Sequence, residues 1–422
     1  MQNNQLFFPG DYLPWEQPEI QPRLDFAANF TAHVPGDADA CEIIDERAVL
    51  EFNKRWNPYD PLYNDPDYAR AQGLPGVPVM PGFTYRKIDP RDAANRPLDR
   101  RMASQFYYTA LGGDLYYHKR FCSGERVRKF QSGSAMRDVT APGSDLRVFD
   151  FDRVMSIYDE AGRETDRSVI YTREGYRKFI DGRPPVDYTQ NMTEWESYFP
   201  PARYTDDDDY LRMKRIWDAE RIQGETPLYW EDVAVGTEIP KTCTAGPVTY
   251  MHLVAWEPIP PEYLFTREEL LDRDYTATVY RDRFGSFLDE TAVHFGGRNN
   301  PGTRMVFYNT DAAFLVARTV TNFIGNAGQI RRFGWRLFPF FRELRLEKLG
   351  ADMFADVPGM EGRFCERHGA EGDTVIGRAV VTGKYIAENG EHRVKFALWA
   401  ETLDGEIIQT CPVEAALPSR ND

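Results

Sequence analysis

Apolar and polar residues alternate most regularly near the end of the chain. TVIGRAVVTGKYI, from Thr374 to Ile386, is followed by the turn ENGE and then by HRVKFALWAETLDGEIIQTCPVEAAL, from His392 to Leu417. Alternation puts successive side chains on opposite faces of a strand, and Asn389-Gly390 and Asp404-Gly405 are tight-turn dipeptides, so the pattern predicts antiparallel hairpins. The first half closes in the same way. LRVFDFDRVMSIYDEAGRETDRSVIYTREGYRKF places Ala161-Gly162 between two alternating segments. One stretch breaks this period: TDAAFLVARTVTNFIG, Thr310 to Gly325, has apolar residues around most of a helical circumference, with Thr310 or Asn309 to cap its start and Gly325 to end it. A helix that apolar is buried, and the strands predicted downstream are the natural enclosure.

Between the halves, DGRPPVDYTQNMTEWESYFPPARYTDDDDY is dense in helix and strand breakers and leads into a charged helix predicted over Asp209 to Gly224. The acidic run Asp206 to Asp209 reads as the start of that helix, where its dipole favours negative charge. This divides the chain into 1–181, a linker 182–226, and 227–422, an α+β protein of two tandem units. The 422 residues suffice for two cores. A composition 42% hydrophobic and 28% charged fits a soluble globular protein, without the run of roughly 20 apolar residues that a membrane span needs.

The net charge of -15 argues against a nucleic-acid or anionic-membrane surface. Five scattered cysteines without CxxC spacing fit reduced thiols. Cys365 with His368 supplies too few ligands for zinc, so no metal is expected. The opening MQNNQLFFPGDYLPWEQPE lacks a basic leader and a continuous apolar stretch, which places the expectation in the cytoplasm.

The first half contains NPYDPLYNDPDYARAQGLPGVPVMPGFT, Asn57 to Thr84. This resembles the hot-dog-fold (R)-specific enoyl-CoA hydratases and MaoC-like dehydratases, whose signature reads D-x-N-P-x-H-x-D, then E-Y-A-x-x-x-G-x-x-G, then a small-residue turn into a central helix. Asp60-Pro61-Leu62-Tyr63-Asn64-Asp65 falls on the N-P-x-H-x-D part, Asp67-Tyr68-Ala69 and Gly73 to Gly76 on the next, and Pro81-Gly82 on the turn. The family's catalytic aspartate then falls on Pro58 and its histidine on Tyr63. Neither performs that proton transfer near neutral pH, proline having no ionisable group and tyrosine an ordinary pKa of about 10. The resemblance, over 40–179 and 227–418, implies two tandem hot-dog domains, each an antiparallel sheet around a central helix. It also implies that the first repeat is degenerate and shapes an acyl tunnel while the second keeps the chemistry.

In the second half FLDETAVHFGGR, Phe287 to Arg298, sets Asp289 five residues before His294, the family's spacing. The family's Asn-Pro between the two is here Thr291-Ala292. Five residues advance about 140° around a helix, so the pair converges only on an irregular segment, which Gly285, Gly296 and Gly297 permit. The implied activity is hydration of a 2-enoyl-CoA thioester, or the reverse dehydration of a 3-hydroxyacyl-CoA, with no cofactor and with a homodimer allowed. Backbone amides around Tyr308, Asn309 and Thr310 at the helix start are the candidate donors to the enolate oxygen. Asn300 is a candidate for holding the thioester or a water, although RNNPG is also turn chemistry. Arg298, Arg304, Arg331 and Arg332 are candidates for coenzyme A phosphates. His252, in VTYMHLVAW, reads as a core or wall residue. Thioester hydrolysis and acyl-CoA binding without turnover are the competing expectations.

Overall fold

The computed structural model describes residues 4–36, 39–84, 103, 105–178, 180, 206–248, 280–281, 287–288, 307, 310–337, 369–370 and 372–421. The first half comprises helices α1 (Gln17–Ala28), α2 (Glu46–Trp56), α3 (Pro61–Asn64) and α4 (Pro66–Ala71). Its strands are β1 (Glu42–Ile43), β2 (Gln105–Tyr117), β3 (Arg126–Asp138), β4 (Arg147–Asp159) and β5 (Glu164–Arg177). After α5 (Asp207–Ala219) come β6 (Thr242–Cys243), β7 (Tyr280–Arg281), β8 (Phe287–Leu288), α6 (Asp311–Ile324), β9 (Gln329–Leu337), β10 (Val375–Ile386), β11 (His392–Thr402) and β12 (Ile407–Ala416).

Ten strands form one sheet in the order β1-β3-β4-β5-β2-β9-β12-β11-β10-β6, and β7 pairs with β8 apart from it. The predicted hairpins are present: β4 pairs antiparallel with β5, β10 with β11, and β11 with β12. Gly162, Gly390 and Gly405 take positive φ at the three turns. The half-sheets join where β2 pairs with β9, from Gly112↔Arg336 to Tyr116↔Arg332. A side chain at Gly113 would press on the Trp335 ring at 2.8 Å, so glycine is what lets β2 lie against this fully buried tryptophan. A buried carboxylate locks the joint: Asp114 accepts from Arg332 at 2.9 Å, from Arg336 Nη2 on both of its oxygens at 2.9 and 3.1 Å, and from the Tyr171 hydroxyl at 3.1 Å. Burying ions in this way requires that each find partners, and each does.

Helix α6 runs under the second half-sheet with every residue except Phe323 buried. Its polar residues are satisfied locally. Arg318 donates to Cys243 O at 2.6 Å and pairs with Glu220, Asn322 donates to Glu220 at 3.1 Å, and the Thr319 hydroxyl meets that of Thr242 at 2.7 Å. The core is continuous across the halves: the Phe314 ring lies 5.7 Å from Trp56, 6.4 Å from Phe52 and 6.1 Å from Phe333, centroid to centroid.

The described part of the linker segment, 206–226, packs against the second half. Asp206 and Asp209 form a reciprocal capping box, so the acidic run starts a helix as expected. That helix ends at Ala219, short of the expected Gly224. Glu220 turns to meet Arg318 and Asn322, and Gln223 N donates to Asn322 O at 2.8 Å, so tertiary bonds along α6 replace the last helical turn. At the other end of the first half, Phe7, Trp15 and Ile20 pack on Phe149 and Tyr176, and buried Arg147 fastens this arm through Glu16 at 2.8 and 2.9 Å. Among the described residues no helix is long and apolar enough to cross a membrane.

Candidate active site

In the first half the segment from Asn57 to Thr84 serves as scaffold. Asp60 caps α3 by accepting from Leu62 N at 2.9 Å, and Asp65 caps α4 by accepting from Asp67 N and Tyr68 N. Asn53, fully buried, donates to Tyr63 O at 2.7 Å and to Pro78 O at 2.8 Å while accepting from Met80 N at 2.9 Å. Asn57 donates to Asn322 Oδ1 at 3.0 Å, stitching this segment to α6. Asn64 donates to the carbonyls of Asn57 and Asp60. Each of these amides and carboxylates holds backbone or the neighbouring helix in place.

The two positions on which the signature's aspartate and histidine fall hold no group that titrates near neutral pH. Pro58 has no titratable group, and burial pushes the Tyr63 phenol up to about 12. The turn amide is taken as well: Gly82 N donates to the Tyr117 hydroxyl at 3.0 Å. Gly82 sits at φ +96°, and a side chain there would overlap the Phe314 ring, so glycine is required both by its backbone conformation and by the close approach of α6. Beside it lies one carboxyl that is strongly perturbed. Asp166 stands directly across from Tyr117 in the β2–β5 register and accepts from the Thr84 hydroxyl, while Lys129 donates to Thr84 O at 3.1 Å. Complete burial, offset only in part by Thr84 and Lys129, raises the Asp166 pKa to about 7.

Of the second-half candidates, Asp289, His294, Asn300, Tyr308 and Asn309 lie outside the described residues, as do His252, Arg298, Arg304, Cys365 and His368. Thr310 is described. It is fully buried at the first turn of α6, and its side chain makes no capping bond to the helix amides. The approach to that turn is anchored by buried Phe307, whose N donates to Gly369 O at 2.7 Å. Asp311, also buried, follows Thr310 as the first residue of the helix. Sequence reasoning passed over this carboxylate, although TDAA displays it beside the candidate donors.

Two of the arginines named as candidates for coenzyme A phosphates form ion pairs within the sheet. Arg331 pairs with Glu391 at 2.7 Å and donates to the carbonyls of Tyr117 and His118. Arg332 pairs with Asp114 at the sheet joint. Each is thus held by a carboxylate at its place in the sheet. A cleft that the sequence does not reveal opens at the same joint, lined by Tyr63, Pro81, Tyr117, Lys119, Arg120 and Gln329 among others.

The sequence matches no protein-family model and no curated protein. Among solved structures, a MaoC-like dehydratase aligns over 90% of this chain and 96% of its own length, with 12% identity and a TM-score of 0.48. A conserved hypothetical protein from Mycobacterium tuberculosis, described as having a double hotdog fold, aligns over 93% and 97% with 12% identity and a TM-score of 0.42. A MaoC-like dehydratase from Phytophthora capsici aligns over 94% and 98% with 9% identity and a TM-score of 0.39. At such identities a likeness concerns fold alone. The topology of the chain itself, two antiparallel half-sheets in tandem with α6 enclosed by the second, is that of a double hot-dog α+β protein.

Proposed function

We propose that this protein hydrates a 2-enoyl-CoA thioester, or dehydrates a 3-hydroxyacyl-CoA in the reverse direction, with Asp289 and His294 as the acid-base pair. The observation that carries this reading is the state of the first repeat. Its acid-base positions hold Pro58 and a buried Tyr63, and its turn amide at Gly82 is already bonded to Tyr117, so chemistry on this fold falls to the second half. There Asp289 and His294 keep a spacing of five ahead of the buried helix α6.

Hydration needs a base to take a proton from water attacking C3, an acid to return one at C2, and stabilisation of the enolate oxygen. An aspartate and a neutral histidine sharing one water supply the first two. In this reading backbone amides around Tyr308 to Thr310, at the head of α6, supply the third. With two half-sheets joined through β2 and β9, the pairing of hot-dog units is met within one chain, and a homodimer is an addition to it. The test is the loss of conjugated-thioester absorbance when purified protein meets short, branched and aryl 2-enoyl-CoAs. Wild type is expected to hydrate at least one of them, with Asp289→Asn and His294→Ala each reducing the rate about 10² to 10⁴-fold with folding intact. Undiminished rates in both variants would overturn the assignment.

Buried Asp311 favours a second reading, thioester hydrolysis, in which a carboxylate at the head of α6 directs water to the carbonyl carbon. Release of free thiol with the double bond retained, abolished by Asp311→Asn, would select it over hydration. Binding of enoyl-CoA with neither reaction would mark a noncatalytic acyl-CoA-binding subunit.

A further inference from the structure

The cleft at the joint of the half-sheets has a cavity volume of about 40 Å³ and opens to solvent between the end of β2 and the start of β9. Two of its groups have unused capacity. The Tyr63 hydroxyl has no hydrogen-bond partner among the described residues, and burial keeps the phenol protonated up to about pH 12, so it remains a donor at any physiological pH. The Arg120 guanidinium donates to Asn326 O at 2.8 Å and to Gly328 O. Both acceptors are neutral, and no carboxylate among the described residues forms an ion pair with Arg120. Its charge is therefore held in place by carbonyls and left uncompensated at contact range. That charge acts on Tyr63, lowering the phenol's pKa against the larger effect of burial.

The remaining charges around the cleft are nearly balanced. Lys119, in the lining, pairs with Glu125 and lies 5.1 Å from the Phe121 ring centroid. Asp60 is buried behind Tyr63, its carboxyl pushed up by desolvation, which favours the neutral form, with Arg120 acting in the opposite direction. Gln329 adds a side-chain amide to the wall. A fixed cation and a phenolic donor converging on a small, half-buried space make a site for a compact negative group.

We propose that the Tyr63–Arg120 cleft binds a small oxyanion, a carboxylate or a phosphate, using residues other than the proposed acid-base pair. A volume of about 40 Å³ holds only a few water-sized centres, which matches a group of that size and excludes a whole acyl chain. The phenol donates to one oxygen, and Arg120 supplies the charge beside it.

The experiment titrates inorganic phosphate and, separately, acetate into the full chain at low ionic strength by isothermal calorimetry. Saturable binding of one equivalent is expected for at least one of them, and the tighter of the two identifies the class of anion. Tyr63→Phe, which keeps the ring and removes only the donor, should weaken binding about tenfold, the usual scale for a hydrogen bond to a charged group. Arg120→Gln should weaken it at least as much. No saturable binding of either anion, or binding that Tyr63→Phe leaves unchanged, would overturn the proposal. Because Tyr63→Phe alters no backbone contact, its result stands even if Arg120→Gln folds poorly.

Discussion

The segment from Asn57 to Thr84 in the first half and helix α6 in the second meet in one core, and they differ in what holds them. In the first, Asn57, Asp60, Asn64 and Asp65 all bond to backbone or to α6, Asn53 of α2 donates to Tyr63 O, and the Gly82 amide is bonded to Tyr117. In the second, Thr310 and Asp311 are buried at the head of α6, and the helix is held by its apolar face and by Arg318 and Asn322 further along. The polar positions of the first segment thus serve as structural bonds. The first repeat also supports the second directly, because Phe52, Trp56 and Gly82 meet α6 at Phe314.

That support is the most sensitive point of the comparison. Phe314→Ala removes the ring against which both halves pack and should cost about 3 to 5 kcal/mol, read as a lower denaturant midpoint in equilibrium unfolding. A cost below about 1 kcal/mol would show that the first segment does not brace α6.

Asp166 offers the next largest effect. Its folded pKa of about 7 lies above the ordinary 3.8, so between these values the folded state holds a proton that the unfolded state has released. Stability contributed by the protonated carboxyl is therefore full at low pH, falls as pH rises through that window, and levels off above about 7. At about 1.4 kcal/mol per pH unit the fall is on the order of 4 kcal/mol at most, with Lys129 and Thr84 opposing it and Glu164 adding to it. Asp166→Asn should flatten this part of the profile and make the protein more stable than wild type at about pH 8, measured by urea unfolding across the window. An unchanged slope would place the titration elsewhere.

The smallest effect belongs to the linker helix. Asp206→Ala breaks the capping box of α5 and should cost about 1 kcal/mol, visible as a modest drop in thermal midpoint. No drop would mean that packing of Met213 against Cys243, Ile376 and Leu403 holds the helix without its cap.

Much of this architecture is legible locally. The alternation in β10, β11 and β12 and the glycine turns between them are short-range signals, and the apolar circumference of α6 with Gly325 at its end is another. The early end of α5 at Ala219 was hidden because the bonds that stop it come from Arg318 and Asn322, far along the chain. The arm around Phe7 and Trp15 has aromatic residues without a period, and its anchor, Arg147 with Glu16, joins positions no local pattern links. The β2–β9 joint and its cleft are likewise assembled from distant segments around Tyr63, Lys119 and Gly328. The Asn57–Thr84 motif was legible as a pattern, but that its turn amide is occupied depends on Tyr117, which lies outside the motif.

The claim that chemistry belongs to the second repeat is tested most directly by comparing Asp60→Asn with His294→Ala on the same enoyl-CoA. Asp60 is the ionisable residue that the first signature retains between Pro58 and Tyr63, and asparagine preserves its cap on α3. The account predicts that Asp60→Asn keeps kcat/KM within about threefold, while His294→Ala loses about 10²-fold or more. The reverse pattern, loss in Asp60→Asn and activity retained in His294→Ala, would contradict it.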